Sequence, residues 1–456
     1  MKVTEIERRI SEHFYANGYQ IYTVGGCVRD RIIGKTPKDI DMATNALPDE
    51  SARLLDWFGS IYTVGQKFGT NGITTPDGLT IDVTTYRGEV YPTDERNPNV
   101  KFGALLIEDL ARRDFTINSI ALNPLTGEVY DPFDGEKDIE NKIIRCVGSD
   151  ERLNEDPLRM LRAIRFACQM DFAVSMHIDK PERLQIISVE RIRDEFSKIL
   201  MTDDPIRGIR LMCDLRLMPY VIPGFTDLIG LEQNRYHNLD AFEHTLAVLK
   251  NVMGTQSDCL MLRLAALLHD SGKPSTKTVS AGDVHFYGHE DIGTEITTKV
   301  LKNLSFDSAT VERVSNLVNR HMQPLMLTMG NELNRRGVYR LIRRVSADNY
   351  NDINMLMDLV ASDLAASANP RADVIENLRK MVNDVQLAVS TKIEYPLGGT
   401  EIMEMLDIKA SPLIGMIKEY ALELVATGAV APGDKESLRK LARKYYEDDL
   451  GEKLQK

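Results

Sequence analysis

The amino-acid sequence predicts an α+β protein whose small sheet is confined to the first 140 residues. The segment "QIYTV" (residues 20–24) has the apolar composition of a buried strand, and "GLTIDVTTYR" (residues 78–87) alternates like a half-buried one. A turn-rich stretch, "NPLTGEVYDPFDGEKD", ends this region. Beyond it, helical periodicity and helix caps dominate almost to the end of the chain. We therefore expect a mixed head followed by helical domains.

The length of 456 residues predicts about three domains, and a hydrophobic content of 43% is enough for well-formed cores. Changes in sequence pattern define four segments, which are residues 1–140, 141–217, 218–375 and 376–456. Within the last of these, residues 390–415 mark a new small unit. The single tryptophan, Trp57, is expected to fill the core of the head.

Several sequence features argue against a membrane or secreted protein. No apolar run approaches the length of a membrane span, and the opening segment is charged and helical rather than signal-like. The five cysteines have neither pairing spacing nor a CxxC motif, as expected where thiols stay reduced. We therefore expect a cytoplasmic protein that does not bind membranes.

The net charge of −12 is unfavourable for binding a polyanion such as RNA. RNA binding would need local basic strips. The candidates are the arginines of residues 152–167, Arg191 and Arg193 in "RIRDEFSKIL", and the run from Asn334 to Arg344. Each of these could instead be an ordinary solvated face.

A glycine turn lies just ahead of two alternating carboxylates near the start of the chain. In an extended strand Asp39 and Asp41 point to the same side, where two like charges about 4 Å apart repel by roughly 4 kcal/mol at a dielectric near 20. Such a pair needs a cation or a proton, and oxygen ligands suit magnesium shared with substrate phosphates. Gly25 and Gly26 allow close approach of a phosphate to the backbone, and Arg29 offers a guanidinium. This order predicts nucleotide chemistry, although either fragment alone is usually a plain turn or loop.

Asp82 is a third candidate carboxylate because it lies among β-branched residues in a predicted strand. Three carboxylates on neighbouring strands would hold two magnesium ions, which activate an attacking hydroxyl and stabilise a leaving pyrophosphate. Asp82 could equally lie on a solvated face of the sheet.

Residues 152–167 predict an amphipathic helix with Asp156 as N-cap and Pro157 as first residue. Its basic flank carries Arg159, Arg162 and Arg165, which could also be merely solvated. Cytosine and adenine both present an amino donor beside a ring-nitrogen acceptor. A carboxylate and a guanidinium three residues apart, as in Asp156 and Arg159, could therefore accept these bases and reject uracil and guanine.

A second cluster of chemically active residues begins near residue 237. Six of the eight histidines fall between His237 and His321, which favours a metal site over isolated structural histidines. The adjacent pair His269 and Asp270 ends an apolar helix, and His244 lies on another predicted helix. Imidazole and carboxylate ligands together suit a divalent transition metal.

Three motifs together resemble the class II tRNA nucleotidyltransferase and bacterial poly(A) polymerase superfamily. They are "GGCVRDRIIGKTPKDIDMAT", "ARRDFTINSIA" and "RLNEDPLRMLRAIRFA", and they occur in the family's order. The resemblance implies a nucleotidyltransferase head of the polymerase beta type in which Asp39 and Asp41 bind Mg²⁺. It implies nucleotide contacts at Gly26, Arg29, Arg113, Asp156, Arg159, Arg162 and Arg165. Among these, Asp156 and Arg159 would form an amino-acid template for the base.

The histidine-rich region resembles the HD superfamily of metal-dependent phosphohydrolases. The first ligands implied by this resemblance are His244, His269 and Asp270, with Asp363 as a distant ligand for which Asp358 competes. His289 and His321 are possible additions. Some tRNA nucleotidyltransferases with an HD domain remove phosphate from RNA ends. Whether this domain is active or only structural stays open.

The combined expectation is an enzyme that adds the 3′-terminal CCA to tRNA from CTP and ATP. The loop of residues 87–103, where relatives switch from C to A, is not obviously truncated, and the tail is expected to bind tRNA. The alternatives are a poly(A) polymerase, a partial enzyme adding only CC or only A, and an HD phosphohydrolase with an RNA-binding head. The sequence leaves the oligomeric state open.

Overall fold

The computed structural model describes residues 3–62, 69–75, 78–90, 99–234, 238–280, 282–328, 334–345, 351–368, 372–390, 396–431 and 433–450. The chain forms two units whose boundary falls between Pro223 and Gly224. The finer division into four segments remains a prediction.

A seven-stranded mixed sheet forms the centre of the head. Its strands in spatial order are β3 (Ser60–Tyr62), β4 (Thr70–Thr74), β5 (Thr80–Thr85), β2 (Ile40–Thr44), β1 (Ile21–Val24), β8 (Ala121–Leu122) and β9 (Val129–Tyr130). Only β2 and β5 pair in parallel, and every other pair in this sheet is antiparallel. The shorter ribbons of this unit are β6 (Arg87–Val90) with β7 (Asn99–Phe102) and β10 (Ile143–Ile144) with β11 (Ala173–Val174).

Helices surround this sheet and continue beyond it in the N-terminal unit. They are α1 (Glu5–Ala16), α2 (Gly26–Ile32), α3 (Pro48–Leu55), α4 (Leu106–Ala111), α5 (Gly135–Glu140), α6 (Arg152–Glu155), α7 (Leu158–Met170), α8 (Val189–Leu200) and α9 (Pro205–Asp214). Short 3₁₀ turns cover Thr116–Asn118, Pro181–Ile186 and Met218–Tyr220. The mixed head predicted from the sequence is confirmed.

The core of the head explains which face of β2 carries the chemistry. Ile40 and Met42 are buried in a cluster with Ile10 and Phe14 of α1 and with Leu54 of α3. Because side chains alternate along a strand, Asp41 lies on the opposite face, away from this cluster. The apolar residues of β2 therefore fix the direction in which its carboxylate points.

The C-terminal unit is helical in its described residues apart from one hairpin, β12 (Lys277–Ser280) and β13 (Asp283–Phe286). Its helices are α10 (Ala241–Val252), α11 (Leu260–Leu268), α12 (Lys273–Thr276), α13 (His289–Asn303), α14 (Ser308–Arg320), α15 (Gln323–Met326), α16 (Arg335–Val345), α17 (Asn351–Ala365), α18 (Ala372–Ser390), α19 (Gly399–Leu406), α20 (Pro412–Ala426) and α21 (Lys435–Tyr445). A 3₁₀ turn at Phe225–Leu228 and a π turn at Tyr446–Leu450 complete it. No helix in the described ranges is both long and apolar enough to cross a membrane.

One expectation about local structure was wrong, and another differs from the structure by one residue. Trp57 does not fill the core, because Leu54 and Leu55 occupy the buried face of α3 and Trp57 falls in the turn that follows, where it is 80% exposed. Helix α7 begins at Leu158, with Pro157 at the N-cap position. Asp156 still accepts the backbone N–H of Leu158 at 3.3 Å.

The expected switching loop of residues 87–103 is described only at its ends, which pair as β6 and β7. Residues 91–98 lie outside the described residues, as does His237. The proposed length of this loop therefore rests on the sequence alone.

Candidate functional site

Two of the predicted carboxylates lie side by side in the sheet of the head. Asp41 on β2 and Asp82 on β5 are direct partners in parallel register. Neighbouring strands are about 4.8 Å apart, so both side chains project from adjacent points of one face. Asp39 precedes β2 by one residue.

The surroundings of Asp41 disfavour its ionised form. Burial by surrounding protein raises the pKa of Asp41, and the charges of Asp82 and Asp39 raise it further, while Arg113 and Arg29 act in the opposite sense. A bound cation would relieve this cost. Three hard oxygen donors fit magnesium, which keeps waters and shares its remaining positions with substrate phosphates.

The glycine turn brings an arginine to the edge of this site. Gly25 has a φ of +76°, which favours glycine. A Cβ on Gly25 would lie 2.8 Å from Nη1 of Arg113 and 3.8 Å from Oδ2 of Asp41. Arg113 is held from behind by Asp109, whose oxygen lies 3.2 Å from Nη2. A phosphate at this turn would therefore meet both a cationic group and a carboxylate predicted to bind magnesium.

A chain of polar side chains links the glycine turn to the helix predicted to select the base. Nη1 of Arg29 donates to Asn118 at 2.7 Å, and Nδ2 of Asn118 donates to Asp114 at 2.9 Å. Asp114 also accepts two hydrogen bonds from Arg162 of α7, at 2.9 and 2.7 Å. Burial opposes ionisation, but Arg162 and Asn118 outweigh it and lower the pKa of Asp114 to about 2. Asp114 is thus a charged anchor at neutral pH.

The two predicted template residues lie at the start of α7, and each has a fixed neighbour. Arg159 is buried, and its guanidinium donates to the backbone carbonyls of Arg152 and Arg112 at 3.1 and 3.0 Å. Oδ2 of Asp156 lies 3.1 Å from Nη2 of Arg191 on α8. Both functional groups are therefore oriented before any nucleotide binds.

The other two arginines of α7 are paired with acids and stack on one ring. Nε of Arg165 donates to Glu195 at 2.7 Å. The guanidinium carbons of Arg29, Arg162 and Arg165 lie 5.0, 5.5 and 4.2 Å from the centre of the Phe166 ring. Phe166 thus packs the phosphate-binding candidate Arg29 against the selecting helix.

In the remaining basic strips, several arginines are paired with acidic side chains, which reduces the local positive charge. On α8, Arg191 pairs with Asp156 and Arg193 pairs with its neighbour Asp194. On α16, Arg343 lies 3.1 Å from Glu419, and Arg336 and Arg340 both pair with Glu423.

The C-terminal unit gathers the predicted metal ligands from five separate helical segments. His244 lies on α10, His269 and Asp270 follow α11, His289 begins α13, His321 follows α14 and Asp363 lies on α17. Among the residues that the structure describes, only two groups have three donor atoms within 4.8 Å of one another. They are His244, His269 and Asp270, and Asp270, His289 and His321. The head carboxylates form a more open arrangement.

Asp270 belongs to both groups and uses a different oxygen for each. Oδ2 lies 3.7 Å from Nε2 of His244 and 3.1 Å from Nε2 of His269. Oδ1 lies 3.6 Å from Nε2 of His289. The cluster therefore has the donor set for two adjacent metal ions that share one carboxylate.

Backbone carbonyls set the tautomers of three of these histidines. Nδ1 of His269, His289 and His321 faces the carbonyl of Ala266, Phe286 and Val318, at 2.9, 2.8 and 2.6 Å respectively. A carbonyl can only accept, so each Nδ1 carries a proton, which leaves Nε2 as the nitrogen that can bind a metal ion. This is the arrangement that metal-binding histidines require.

Asp358 and Asp363 point in different directions from α17 and have different neighbours. Five residues rotate an α-helix by about 500°, so the two side chains point about 140° apart. Asp363 lies 2.9 Å from Nε2 of His244, whereas Asp358 lies 2.8 Å from Arg379 of α18. Burial opposes ionisation, but hydrogen bonding to His244 and the charge of His269 lower the pKa of Asp363.

The sequence did not single out several residues that the structure brings to these sites. Asp109, Asp114 and Asn118 surround the arginines of "ARRDFTINSIA", and their alternation with buried apolar residues was the available signal. Lys273 lies 2.6 Å from Oδ2 of Asp270, and Tyr62 hydrogen bonds to Asp82. Both contacts depend on tertiary packing and had no local signal.

A mixed sheet with paired strand carboxylates beside a glycine turn, followed by helices with a histidine and aspartate cluster, defines the class of nucleotidyltransferase with an HD domain. Three family models match accordingly. They are "Poly A polymerase head domain" at residues 21–145, "Probable RNA and SrmB- binding site of polymerase A" at 176–229 and "HD domain" at 241–358.

Curated relatives extend the match over the whole chain. An A-adding tRNA nucleotidyltransferase of Deinococcus radiodurans is 31% identical, covering 94% of this chain and 96% of the relative. A CC-adding tRNA nucleotidyltransferase of Thermus thermophilus is 29% identical over 92% of both chains. The CCA-adding enzyme of Lactiplantibacillus plantarum is 44% identical, but the match covers 48% of this chain and 54% of the relative. The chain belongs to the tRNA nucleotidyltransferase family.

Solved structures agree with this membership. The CCA-adding enzyme of Bacillus stearothermophilus in complex with CTP has a TM-score of 0.69 at 25% identity, covering 97% of this chain and 98% of that one. The Thermotoga maritima CCA-adding enzyme complexed with tRNA shares the fold, with a TM-score of 0.63 at 20% identity. The family, fold class and enzyme class expected from the sequence are confirmed.

Proposed function

We propose that this enzyme adds the 3′-terminal CCA to tRNA, using CTP and ATP in a magnesium-dependent reaction without a nucleic-acid template. The observation that carries the proposal is the register of Asp41 with Asp82, beside the glycine turn that brings Arg113 within reach of Asp41. The curated relatives named CCA-adding enzyme and the solved complex with CTP support the same conclusion.

The head residues take distinct roles in this reaction. Asp39 and Asp41 hold Mg²⁺, and Asp82 is the third catalytic carboxylate. Magnesium bound there supplies a Lewis acid for the 3′ hydroxyl and the triphosphate. Arg29 and Arg113, with Gly26 at the turn, bind the triphosphate and hold its α-phosphate in line with the attacking hydroxyl.

Selection of the base is assigned to α7. The carboxylate of Asp156 accepts the exocyclic amino group of cytosine or adenine, and Arg159 donates to the adjacent ring nitrogen. Arg162 and Arg165 bind the nucleotide from the same flank. A good bidentate contact discriminates by about 1–3 kcal/mol, so protein groups alone can reject UTP and GTP.

The test is nucleotide incorporation by the purified protein with magnesium. Three transcripts of one tRNA are needed, ending before the CCA, after one C and after CC, each with one labelled nucleoside triphosphate at a time. We expect two C and then a single A on the first transcript. Incorporation of A only on the CC transcript would assign an A-adding enzyme, an arrest after CC would assign a CC-adding enzyme, and unlimited A would assign a poly(A) polymerase.

A second activity is favoured by the HD cluster. We propose a phosphohydrolase that binds divalent transition metals at His244, His269, Asp270 and Asp363, with His289 and His321 completing a second position. Two ions sharing Asp270 would activate water and polarise a phosphate ester. The substrate we propose is a phosphate at an RNA 3′ end.

This activity is tested separately from nucleotide transfer. Metal-stripped protein is reloaded with Mn²⁺, Co²⁺, Ni²⁺ or Mg²⁺ and incubated with RNA carrying a 3′ phosphate or a 2′,3′-cyclic phosphate. We expect phosphate release or ring opening that disappears in His269→Ala and persists in Asp41→Ala. Activity that instead disappears only in Asp41→Ala would place the hydrolysis in the head.

Two further expectations stay predictions. A cytoplasmic location is supported by the five free cysteines. A tail that binds the tRNA elbow is supported by a separate hydrophobic cluster built around Ile402, Ile417 and Leu438.

A further inference from the structure

A single row of residues crosses four strands of the head sheet at the level of the catalytic carboxylates. Tyr62 on β3 is opposite Gly72 on β4, Gly72 is opposite Asp82 on β5, and Asp82 is opposite Asp41 on β2. Directly opposed residues share a face of a sheet. Tyr62 is therefore on the same face as Asp82 and Asp41, at the far end of the row.

Gly72 opens the path by which Tyr62 reaches Asp82. A Cβ on Gly72 would lie 1.9 Å from the Cζ atom of Tyr62 and 2.3 Å from its hydroxyl oxygen. The ring thus lies directly over the backbone of β4, a position that any side chain at residue 72 would fill. Strands β3 and β5 are about 9.5 Å apart, and a tyrosine lying across the gap spans that distance.

The hydroxyl of Tyr62 ends on the third carboxylate. It donates to Oδ1 of Asp82 at 2.7 Å, the usual length of an O–H···O hydrogen bond. If the only role of the ring were to cover Gly72, phenylalanine would fill it equally well. A tyrosine hydroxyl ordinarily has a pKa of about 10, so at neutral pH it is protonated and can donate to the carboxylate.

We propose that Tyr62 is a positioning residue that fixes the orientation of Asp82 for nucleotide transfer. The tyrosine holds Oδ1, which leaves Oδ2 as the oxygen available to a magnesium ion or to the attacking 3′ hydroxyl. A carboxylate held in one rotamer does not spend part of its time turned away from the reacting atoms. This inference rests on the proposed function, because it requires Asp82 to be a catalytic carboxylate.

The first test is Tyr62→Phe, which keeps the ring over Gly72 and removes only the donor. We expect kcat for C addition to fall about tenfold, as the loss of a hydrogen bond to a charged group predicts, with KM for CTP changed less than about twofold. The Mg²⁺ concentration for half-maximal rate should rise. Tyr15→Phe is the matched control, because its hydroxyl contacts Asn123 at 3.4 Å and not a carboxylate of the site. A wild-type kcat and Mg²⁺ dependence in Tyr62→Phe overturn the proposal.

A double-mutant cycle with Asp82→Asn separates this proposal from the proposed function. If Tyr62 acts through Asp82, adding Tyr62→Phe to Asp82→Asn costs less than about twofold in single-turnover rate. If the two losses multiply, Tyr62 acts by another route and the proposal fails, while the role of Asp82 stands. If Asp82→Asn alone transfers nucleotide at the wild-type rate, it is the catalytic role of Asp82 that fails.

Gly72→Ala provides an independent test of the proposal. It is needed if the variants that contain Asp82→Asn transfer nucleotide too slowly for their rates to be compared. The new methyl group displaces the Tyr62 ring, so kcat should fall about as far as in Tyr62→Phe. In a Tyr62→Ala background the space is vacant, and Gly72→Ala should then change kcat less than about twofold. An equal loss in both backgrounds would show that alanine harms the strand itself, which contradicts the inference. Thermal unfolding of each variant confirms that the fold is retained.

Discussion

Nε2 of His289 and Nε2 of His321 lie 3.2 Å apart in the C-terminal unit, although the Nδ1 of each ring faces a backbone carbonyl. Two lone pairs cannot face each other at this distance without a proton or a metal ion between them. Burial, followed by the charges of His269 and His289, lowers the pKa of His321 to about 4. A metal ion bound by both Nε2 atoms would use the two lone pairs.

We predict that the loaded protein holds two transition-metal ions per chain in this cluster. His321→Ala should lose one of them and keep the other, whereas Asp270→Ala should lose both because its oxygens serve the two groups. Elemental analysis after dialysis gives the stoichiometry. His285→Ala is the control, since that ring stacks on Tyr287, outside the two groups. One ion per chain in the wild type would contradict the prediction.

For the head, we predict that Asp39→Ala and Asp41→Ala abolish nucleotide incorporation while the fold is retained. Without magnesium, Asp41→Asn should slightly raise the Tm, because the raised pKa of Asp41 means that the ionised carboxylate is disfavoured in the folded protein. Magnesium should stabilise the wild type and leave Asp41→Asn unchanged. The measurement is thermal unfolding with and without Mg²⁺.

Incorporation at the wild-type rate in Asp39→Ala or Asp41→Ala would reject the metal assignment. Asp56→Ala provides the comparison, because it removes an acid that lies in the turn after α3 and not on the strands that carry Asp41 and Asp82. That variant should keep both full activity and the magnesium-dependent rise in Tm.

Asp114 gives a prediction about pH. Its pKa is lowered from 3.8 to about 2, so it stabilises the fold above pH 4 and loses this contribution as the pH falls towards 2. The shift corresponds to about 2–3 kcal/mol, and Asp114→Asn should lower the free energy of unfolding by about that amount at pH 7. In urea titrations the difference from the wild type should stay constant down to about pH 4 and shrink below it.

The exposed pair of Arg193 and Asp194 serves as the comparison for that titration. Asp194→Asn removes a carboxylate with 55% of its side chain exposed and should change the free energy of unfolding by less than about 0.5 kcal/mol. A difference between the wild type and Asp114→Asn that does not depend on pH would show that Asp114 contributes through packing and not through its charge.

The sequence predicted the parts of these sites that depend on local pattern. The alternation around Asp41 and Asp82 indicated strand carboxylates, and the apolar helix before His269 placed the histidine and aspartate pair. It could not show that Asp41 and Asp82 are opposite each other, because strand register depends on pairing between segments about 40 residues apart in the chain. Trp57 was misplaced for a related reason, since a short helix decides its buried face by tertiary packing.

The orientation of the template pair leads to the final prediction, which concerns base selection. Arg159 is buried and donates to two backbone carbonyls, so its direction depends on the fold, whereas the charged partner of Asp156 is the partly exposed Arg191. We expect Asp156→Ala to lower kcat/KM for CTP and to reduce discrimination against UTP about 10- to 100-fold, the value of one lost bidentate contact.

Arg191→Ala should reduce discrimination less, because Asp156 remains present but less well oriented. Arg193→Ala, which removes an arginine on the same helix that pairs with Asp194, should leave discrimination unchanged. Competition between labelled CTP and UTP on a tRNA lacking CCA measures all three variants. Unchanged discrimination in Asp156→Ala would remove this residue from the template and leave selection to Arg159.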